Sequence, residues 1–256
     1  MTDGNAVGQH PRKYAVLLAL LCIALAIETI IARGSERFLS DAFRMVLGVA
    51  IWFVVFRRRR ERVAMAAVLV VASVFNWGRY SAAGRLDHAL SLAEQTTLAL
   101  FLWSAVYVIL RDLFRAPTKS AESVLGAICG YIIAGDAWAR LNAIAYLLVP
   151  SAFSIDPGVI ALLPDWHGRV ALFTYYAFAQ VLTIGYSDVT PIGAPATTLS
   201  LFAALFGVFY TAIVVSVFVG LAQSAKEGGG HLHSRNPDPR HLHNSPETER
   251  GMTEDD

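Results

Sequence analysis

Apolar residues fall in six long blocks along the chain, and short polar or charged segments separate these blocks. A helix needs about 20 predominantly apolar residues to cross a bilayer, so each block predicts a transmembrane helix. The second and third blocks are short for a span. The pattern predicts an all-α membrane protein with six transmembrane helices, over residues 14–32, 39–56, 63–78, 92–110, 121–149 and 194–223.

A further apolar segment, residues 169–182, precedes the polar, turn-prone stretch Thr183-Ile184-Gly185-Tyr186-Ser187-Asp188. Polar, non-helical backbone at membrane depth is tolerated only where it is buried in protein or lines a water-filled path. We interpret residues 169–182 as a re-entrant pore helix, and the stretch after it as a loop that turns back outward. Such a loop can direct backbone carbonyls, with the Thr183 hydroxyl, toward a cation on one axis.

One chain supplies only one side of such a ring of oxygen ligands, so a closed cage requires four copies of the loop. The sequence therefore predicts a homotetramer with a central pore. The carboxyl end of the pore helix would carry a partial negative charge at the middle of the membrane, which favours a cation there.

The basic side chains set the orientation. The predicted inner loops and the tail hold 14 Lys and Arg residues, and the predicted outer segments hold 5. Because Lys and Arg concentrate on the cytoplasmic side, both termini are expected in the cytoplasm, and residues 183–188 open outward. The composition, 55% hydrophobic and 16% charged with a net charge of +1, fits a multi-pass protein of the cell membrane and indicates no nucleic-acid partner.

The chain divides into a cytoplasmic N-terminus (1–13), a four-helix bundle (14–116), a pore module (117–223) and a tail (224–256) that we expect to be disordered. A signal peptide is the alternative for the first block, with Ala24-Leu25-Ala26 as a cleavage match, but the apolar stretch is too long for one. Two His-x-His pairs in the tail could bind a metal or sense pH, or could simply be solvated.

Charged side chains inside the predicted spans need partners. Asp136 and Arg140 are spaced to pair on one face of the fifth helix, and Glu28 and Arg44 lie in the first two spans. These four side chains serve either structural pairing or a gating or proton-linked role. The sequence holds no metal-ligand motif, nucleophile elbow, P-loop or soluble ligand-binding domain, so we expect no enzyme activity, no cofactor and no metal except a permeating cation.

The stretch Thr183 to Asp188, with Val189-Thr190-Pro191 after it, resembles the Thr-Val-Gly-Tyr-Gly-Asp signature of potassium channels. Residues 123–131 resemble the outer helix of bacterial two-helix pore modules, and the resemblance covers residues 121–223. Gly207 lies 20 residues after Ser187, where that family has a hinge glycine. Gly207 could bend the sixth helix or allow close helix packing.

The resemblance implies a potassium-selective, tetrameric channel of the bacterial inner membrane, with a selectivity filter formed by Thr183, Ile184, Gly185, Tyr186 and Ser187. Asp188 would stand at the outer mouth, where it either concentrates cations or bonds to an aromatic cuff. The family resemblance favours the bond. The cuff is formed by Tyr175, Tyr176 and Phe178.

Several positions depart from that family. Ser187 replaces a glycine whose positive φ is strained for other residues, and Ala177, Gln180 and Leu182 stand where the family commonly has Ser or Thr. Ser187 leaves open a weakly selective cation channel, and a non-conducting sensor or partner subunit is a further alternative. The fourth block carries no Arg or Lys, so voltage gating is not expected.

Overall fold

The computed structural model describes residues 12–31, 37–115, 121–163, 166–185 and 188–233. Within these ranges the chain forms eight α-helices and two short strands. The helices are α1 (Arg12–Ile31), α2 (Arg37–Val55), α3 (Arg59–Gly78), α4 (Arg85–Arg115), α5 (Ala121–Leu148), α6 (Pro157–Leu162), α7 (Trp166–Val181) and α8 (Ala194–His233), and the strands are β1 (Phe153–Ile155) and β2 (Val189–Pro191).

Each of the six apolar blocks forms a helix, namely α1 to α5 and α8. Four stretches are long and apolar enough to cross a membrane over their described residues: Arg59–Ser81, Arg85–Arg115, Ser123–Leu148 and Ala194–Ser216. In α1 the apolar stretch is shorter, over Lys13–Ile27. The protein is thus mostly helical, with several apolar helices fit for spanning a membrane, while the number six stays a prediction.

Two helices extend beyond their predicted ends. Helix α4 begins at Arg85, directly after Gly84, whose φ of +59° ends the preceding turn. Helix α8 continues past the predicted end at Gln223 to His233, so the tail begins as helix because the Ala-Lys-Glu segment after Ser224 favours helix propagation. The remainder of the tail, with the second His-x-His pair, lies outside the described residues.

Helix α5 is common to both halves of the molecule, because it packs against α1 and α4 on one side and against α7 and α8 on the other. The bundle core between α1, α2, α4 and α5 contains fully buried apolar side chains, among them Leu17, Ile51, Phe101 and Ile133. Packing of this kind fixes α5, and α5 in turn packs against α7.

A small antiparallel sheet joins the segment after α5 to the segment after the predicted filter. Strands β1 and β2 pair Phe153 with Pro191, Ser154 with Thr190 and Ile155 with Val189. The prediction of an all-α fold is corrected here. Phe153 and Val189 are buried, and the backbone groups of these two segments obtain their hydrogen-bond partners by pairing as strands.

Candidate functional site

Helix α7 is the pore helix that the sequence predicted over residues 169–182. It packs between α5 and α8 through Val170, Phe173, Ala177 and Val181, which share one helix face and are each at most 1% exposed. The Phe173 ring lies 5.3 Å from that of Tyr146 on α5, centroid to centroid. The buried face therefore holds α7 at a fixed depth.

The carboxyl end of α7 is closed by a Schellman motif, and Thr183 is its left-handed residue. The Thr183 amide donates to the Gln180 carbonyl at 2.9 Å, and the Ile184 amide donates to the Ala179 carbonyl at 2.8 Å. Thr183 has a φ of +56°, which costs a residue with a side chain about 1 kcal/mol or more. The first residue of the predicted filter is thus also the cap of the pore helix.

The described part of the predicted filter alternates in backbone handedness. Thr183 and Gly185 have positive φ, of +56° and +73°, and Ile184 between them does not. Backbone of this kind is neither helix nor extended strand, as expected of an irregular loop that lines an ion path. Leu182 and Ile184 are about half exposed in the single chain. The predicted filter residues Tyr186 and Ser187 lie outside the described residues.

The aromatic cuff is connected to three different neighbours. The Tyr175 hydroxyl donates to an Asp188 carboxylate oxygen at 3.3 Å, so Asp188 makes the bond that the resemblance favoured. The Tyr176 hydroxyl lies 3.0 Å from the Ser200 hydroxyl on α8. The Phe178 ring fills the space beside Gly135 on α5, where a Cβ atom would lie 2.5 Å from the ring.

A polar network behind the loop joins three helices. The Asn142 side chain on α5 is fully buried and donates to the Gln180 side chain at 3.2 Å. The Gln180 amide in turn donates to the Ser200 hydroxyl, which also contacts Tyr176. Sequence reasoning noted Gln180 as a departure but missed Asn142 and Ser200. A polar side chain inside an apolar span was the available signal for both.

Gly207, the hinge candidate, faces the last turn of the pore helix. A Cβ atom at this position would lie 1.9 Å from the Val181 carbonyl oxygen, and α8 runs through Gly207 without interruption. The Tyr131 hydroxyl on α5 donates to the same carbonyl at 3.2 Å. The geometry supports close helix packing at Gly207, and a hinge there stays a prediction. Sequence reasoning missed Tyr131.

The predicted outer mouth, at Asp188, is anchored to the segment after α5. The Asp156 amide donates to the Asp188 carbonyl at 3.2 Å, next to the β1–β2 pairing. The amides of Ile192 and Gly193 both donate to the Ala152 carbonyl at 2.9 Å. Gly193 has no room for a side chain, because a Cβ atom would lie 2.7 Å from the Ala152 Cα.

Polar contacts also join the amino end of α7 to the four-helix bundle. The His167 imidazole lies 3.0 Å from an Asp41 carboxylate oxygen on α2, and the Tyr80 hydroxyl donates to the same carboxylate at 2.8 Å. Arg79 forms an ion pair with Glu94 at 2.9 Å and lies over the Trp166 ring, 6.0 Å from its centroid.

The predicted pairing of Asp136 with Arg140 is confirmed, at 2.7 Å, and Arg140 also donates to the Gln95 side chain at 3.3 Å. Arg44 lies 4.0 Å from Asp41 on its own helix. The Glu28 side chain lies outside the described residues, so its role stays a prediction.

Residues 165–224 match a family model described as an ion channel, a family of two-helix pore-loop channels. The matched segment contains α7, the loop that follows it, β2 and the first part of α8. The recognition of a pore-loop channel from the Thr183 to Asp188 stretch is therefore confirmed. No curated protein matches the chain.

Proposed function

We propose that this pore-loop channel is potassium-selective and passive, and conducts through a central pore formed by four copies of the chain. The observation that carries the proposal is the loop at the end of α7. The sign of φ alternates over Thr183, Ile184 and Gly185, and these residues directly follow the capped end of α7. Carbonyls arranged in this way can replace the hydration shell of a potassium ion.

The contacts around the loop support selectivity for one ion. Tyr175 holds Asp188 at the outer end, and Asn142, Gln180 and Ser200 hold the pore helix from behind. These contacts involve α5, α7 and α8, so the loop has support on several sides within one subunit. A rigid ring of carbonyl oxygens that cannot contract onto the smaller sodium ion would select potassium by size. A flexible ring would select potassium by the number of oxygen ligands that it offers.

The tetramer is proposed because a single loop offers carbonyls from one direction only. Leu182 and Ile184 are about half exposed in the single chain, at 49% and 50%, although they are apolar. Neighbouring subunits around an axis would cover them. We further propose that both termini are cytoplasmic, following the distribution of Lys and Arg. A bacterial inner membrane is proposed because residues 121–223 resemble a bacterial two-helix pore module.

We also propose that the channel is not voltage-gated. Moving one charge through the membrane field supplies about 2.3 kcal/mol per 100 mV, so a sensor helix needs several mobile charges. Helix α4 has no Arg or Lys between Arg85 and Arg111. Its buried Glu94 and Gln95 are instead bonded to Arg79 and Arg140.

A weakly selective cation channel is the second candidate, and Ser187 favours it, since a side chain there disfavours the backbone that glycine would adopt. A reversal-potential measurement on reconstituted protein, with potassium on one side and sodium on the other, separates the two. We expect a reversal potential far from zero, with the sign that opposes potassium flow, and a potential near zero would identify the weakly selective pore. Absence of current from intact tetramers would contradict the channel and favour a non-conducting sensor or partner subunit.

Two variants sharpen this test. Ser187→Gly should raise potassium selectivity or current stability, and an unchanged channel would mean that the serine is accommodated without functional cost. Gly185→Ala should abolish the current, because φ is +73° at this position and disfavours a side chain. Current that persists in folded Gly185→Ala protein would show that ions follow another route.

A further inference from the structure

A groove of about 590 Å³ lies between the start of α3 and the last turns of α4, at the end of the bundle opposite the outer mouth. We call it the basic groove, and its lining includes Arg60, Ala64, Met65, Trp103, Tyr107 and Arg111.

Positive charge is in excess at the mouth of the basic groove. Arg111 is neutralised by Glu61 at 2.8 Å and by Asp112 at 3.1 Å. Arg60 is exposed and makes no ion pair with any described residue, and the same holds for its neighbours Arg57 and Arg59. An anionic group at this mouth would therefore meet guanidinium groups whose charge is not already compensated.

The polarity of the basic groove changes along the axis of α4. Arg111 stands at its polar end, Tyr107 lies about 6 Å deeper and Trp103 about 12 Å deeper, at 1.5 Å per residue. Apolar Leu100, about 16 Å deeper than Arg111 on the same scale, lines the far end of this space, and Met65 of α3 lines it as well. The sequence of charge, aromatic ring and aliphatic side chain over this depth matches a phospholipid headgroup, its glycerol region and the start of its acyl chains.

We propose that the basic groove binds an anionic phospholipid from the membrane leaflet at the arginine-rich end of the bundle. The lipid phosphate would accept hydrogen bonds from Arg60, and the acyl chains would lie against Met65 and the exposed aliphatic surface of α4. Charge complementarity selects this occupant over a zwitterionic lipid, since the unpaired Arg60 guanidinium lines the groove and Arg57 and Arg59 are its neighbours in the chain.

Native mass spectrometry of the delipidated, detergent-solubilised protein tests the proposal, with phosphatidylglycerol and phosphatidylcholine as probes. Phosphatidylglycerol should bind more tightly than phosphatidylcholine. Arg60→Gln should weaken its binding about fivefold, the value expected for one basic residue near an anionic surface. Arg85→Gln removes an exposed arginine at the opposite end of α4 and should leave binding unchanged.

A second variant fills the basic groove and leaves its charges unchanged. Ala64→Trp places a large ring in the basic groove from an exposed position, so it should reduce phosphatidylglycerol binding while the thermal midpoint stays unchanged. Equal binding of both lipids, or equal losses from Arg60→Gln and Arg85→Gln, would overturn the proposal. Dissociation of the oligomer by Ala64→Trp would instead assign the groove to a neighbouring subunit. No step measures ion flux, so the outcome is independent of the channel proposal.

Discussion

Gly207 on α8 and the Val181 carbonyl on α7 are in direct contact, and a Cβ atom at position 207 would lie 1.9 Å from the carbonyl oxygen. The carbonyl group is part of the main chain of the last pore-helix turn, two residues before Thr183. A shift of α8 at this level must therefore move the start of the predicted filter, or lose the contact. The pore helix and the inner helix act as one packed unit at this point.

Replacing Gly207 by Ala should destabilise the protein by more than the roughly 1–3 kcal/mol typical of an added methyl group, because the opposing atom is main chain and cannot rotate away. We expect a lower thermal midpoint and loss of current in liposomes. Gly78→Ala is the matched control, since a Cβ atom there would lie 3.6 Å from Leu90, in ordinary contact. Wild-type current and stability in Gly207→Ala would contradict the packing found here.

Tyr131→Phe removes the hydroxyl that donates to the Val181 carbonyl, at a cost of about 1 kcal/mol. Because this carbonyl belongs to the last turn of the pore helix, we expect a lower potassium-to-sodium permeability ratio as well as lower stability. Tyr210→Phe removes a comparable hydroxyl from the Ala127 carbonyl on α5, away from the loop. Tyr210→Phe should lower the stability and leave the permeability ratio unchanged. Equal effects of both variants on the permeability ratio would refute a specific role for Tyr131.

Tyr175→Phe breaks the hydrogen bond to Asp188 while the ring remains in place. A contact of this kind contributes about 1 kcal/mol, so we expect the permeability ratio or the duration of open current to fall by about fivefold. Single-channel recording at constant voltage measures both. Tyr146→Phe serves as the control, because its ring packs against Phe173 behind the pore helix. An unchanged Tyr175→Phe channel would mean that Asp188 holds its position without this bond.

Asp41→Asn tests the link between the bundle and the amino end of α7. The Asp41 carboxylate is 3% exposed and contacts both His167 and Tyr80, so loss of its charge should lower the free energy of unfolding by about 1.5–3 kcal/mol. Asp87→Asn weakens the ion pair of a more exposed carboxylate with Arg79 and should cost less than about 1 kcal/mol. Thermal unfolding in one detergent compares the two, and equal losses would contradict a special role for Asp41.

The helices and the order of the pore module could be predicted from the sequence, because long apolar blocks and a short polar motif are local signals. The bounds predicted for α7 differ from the observed ones by three residues at its start and one at its end. The Asp136–Arg140 pair was also predictable, since residues four apart share a helix face.

Contacts between distant segments left no such signal. His167 and Asp41 are 126 positions apart, and nothing in either local sequence indicates the other. Strands β1 and β2 have three residues each, too few for an alternating pattern to be recognised. The positive φ of Thr183 runs against its intrinsic preference, so only the surrounding packing specifies it.

The pairing of β1 with β2 has a consequence for biogenesis. Both strands belong to one chain, and the carbonyls of Ala152 and Asp188 accept the bonds that close the same loop within that chain. In the proposed tetramer, each chain could therefore complete this loop before it meets another copy. Association would then need only to align finished loops, and a chain damaged in this region would carry its defect into the complex instead of being corrected by its neighbours.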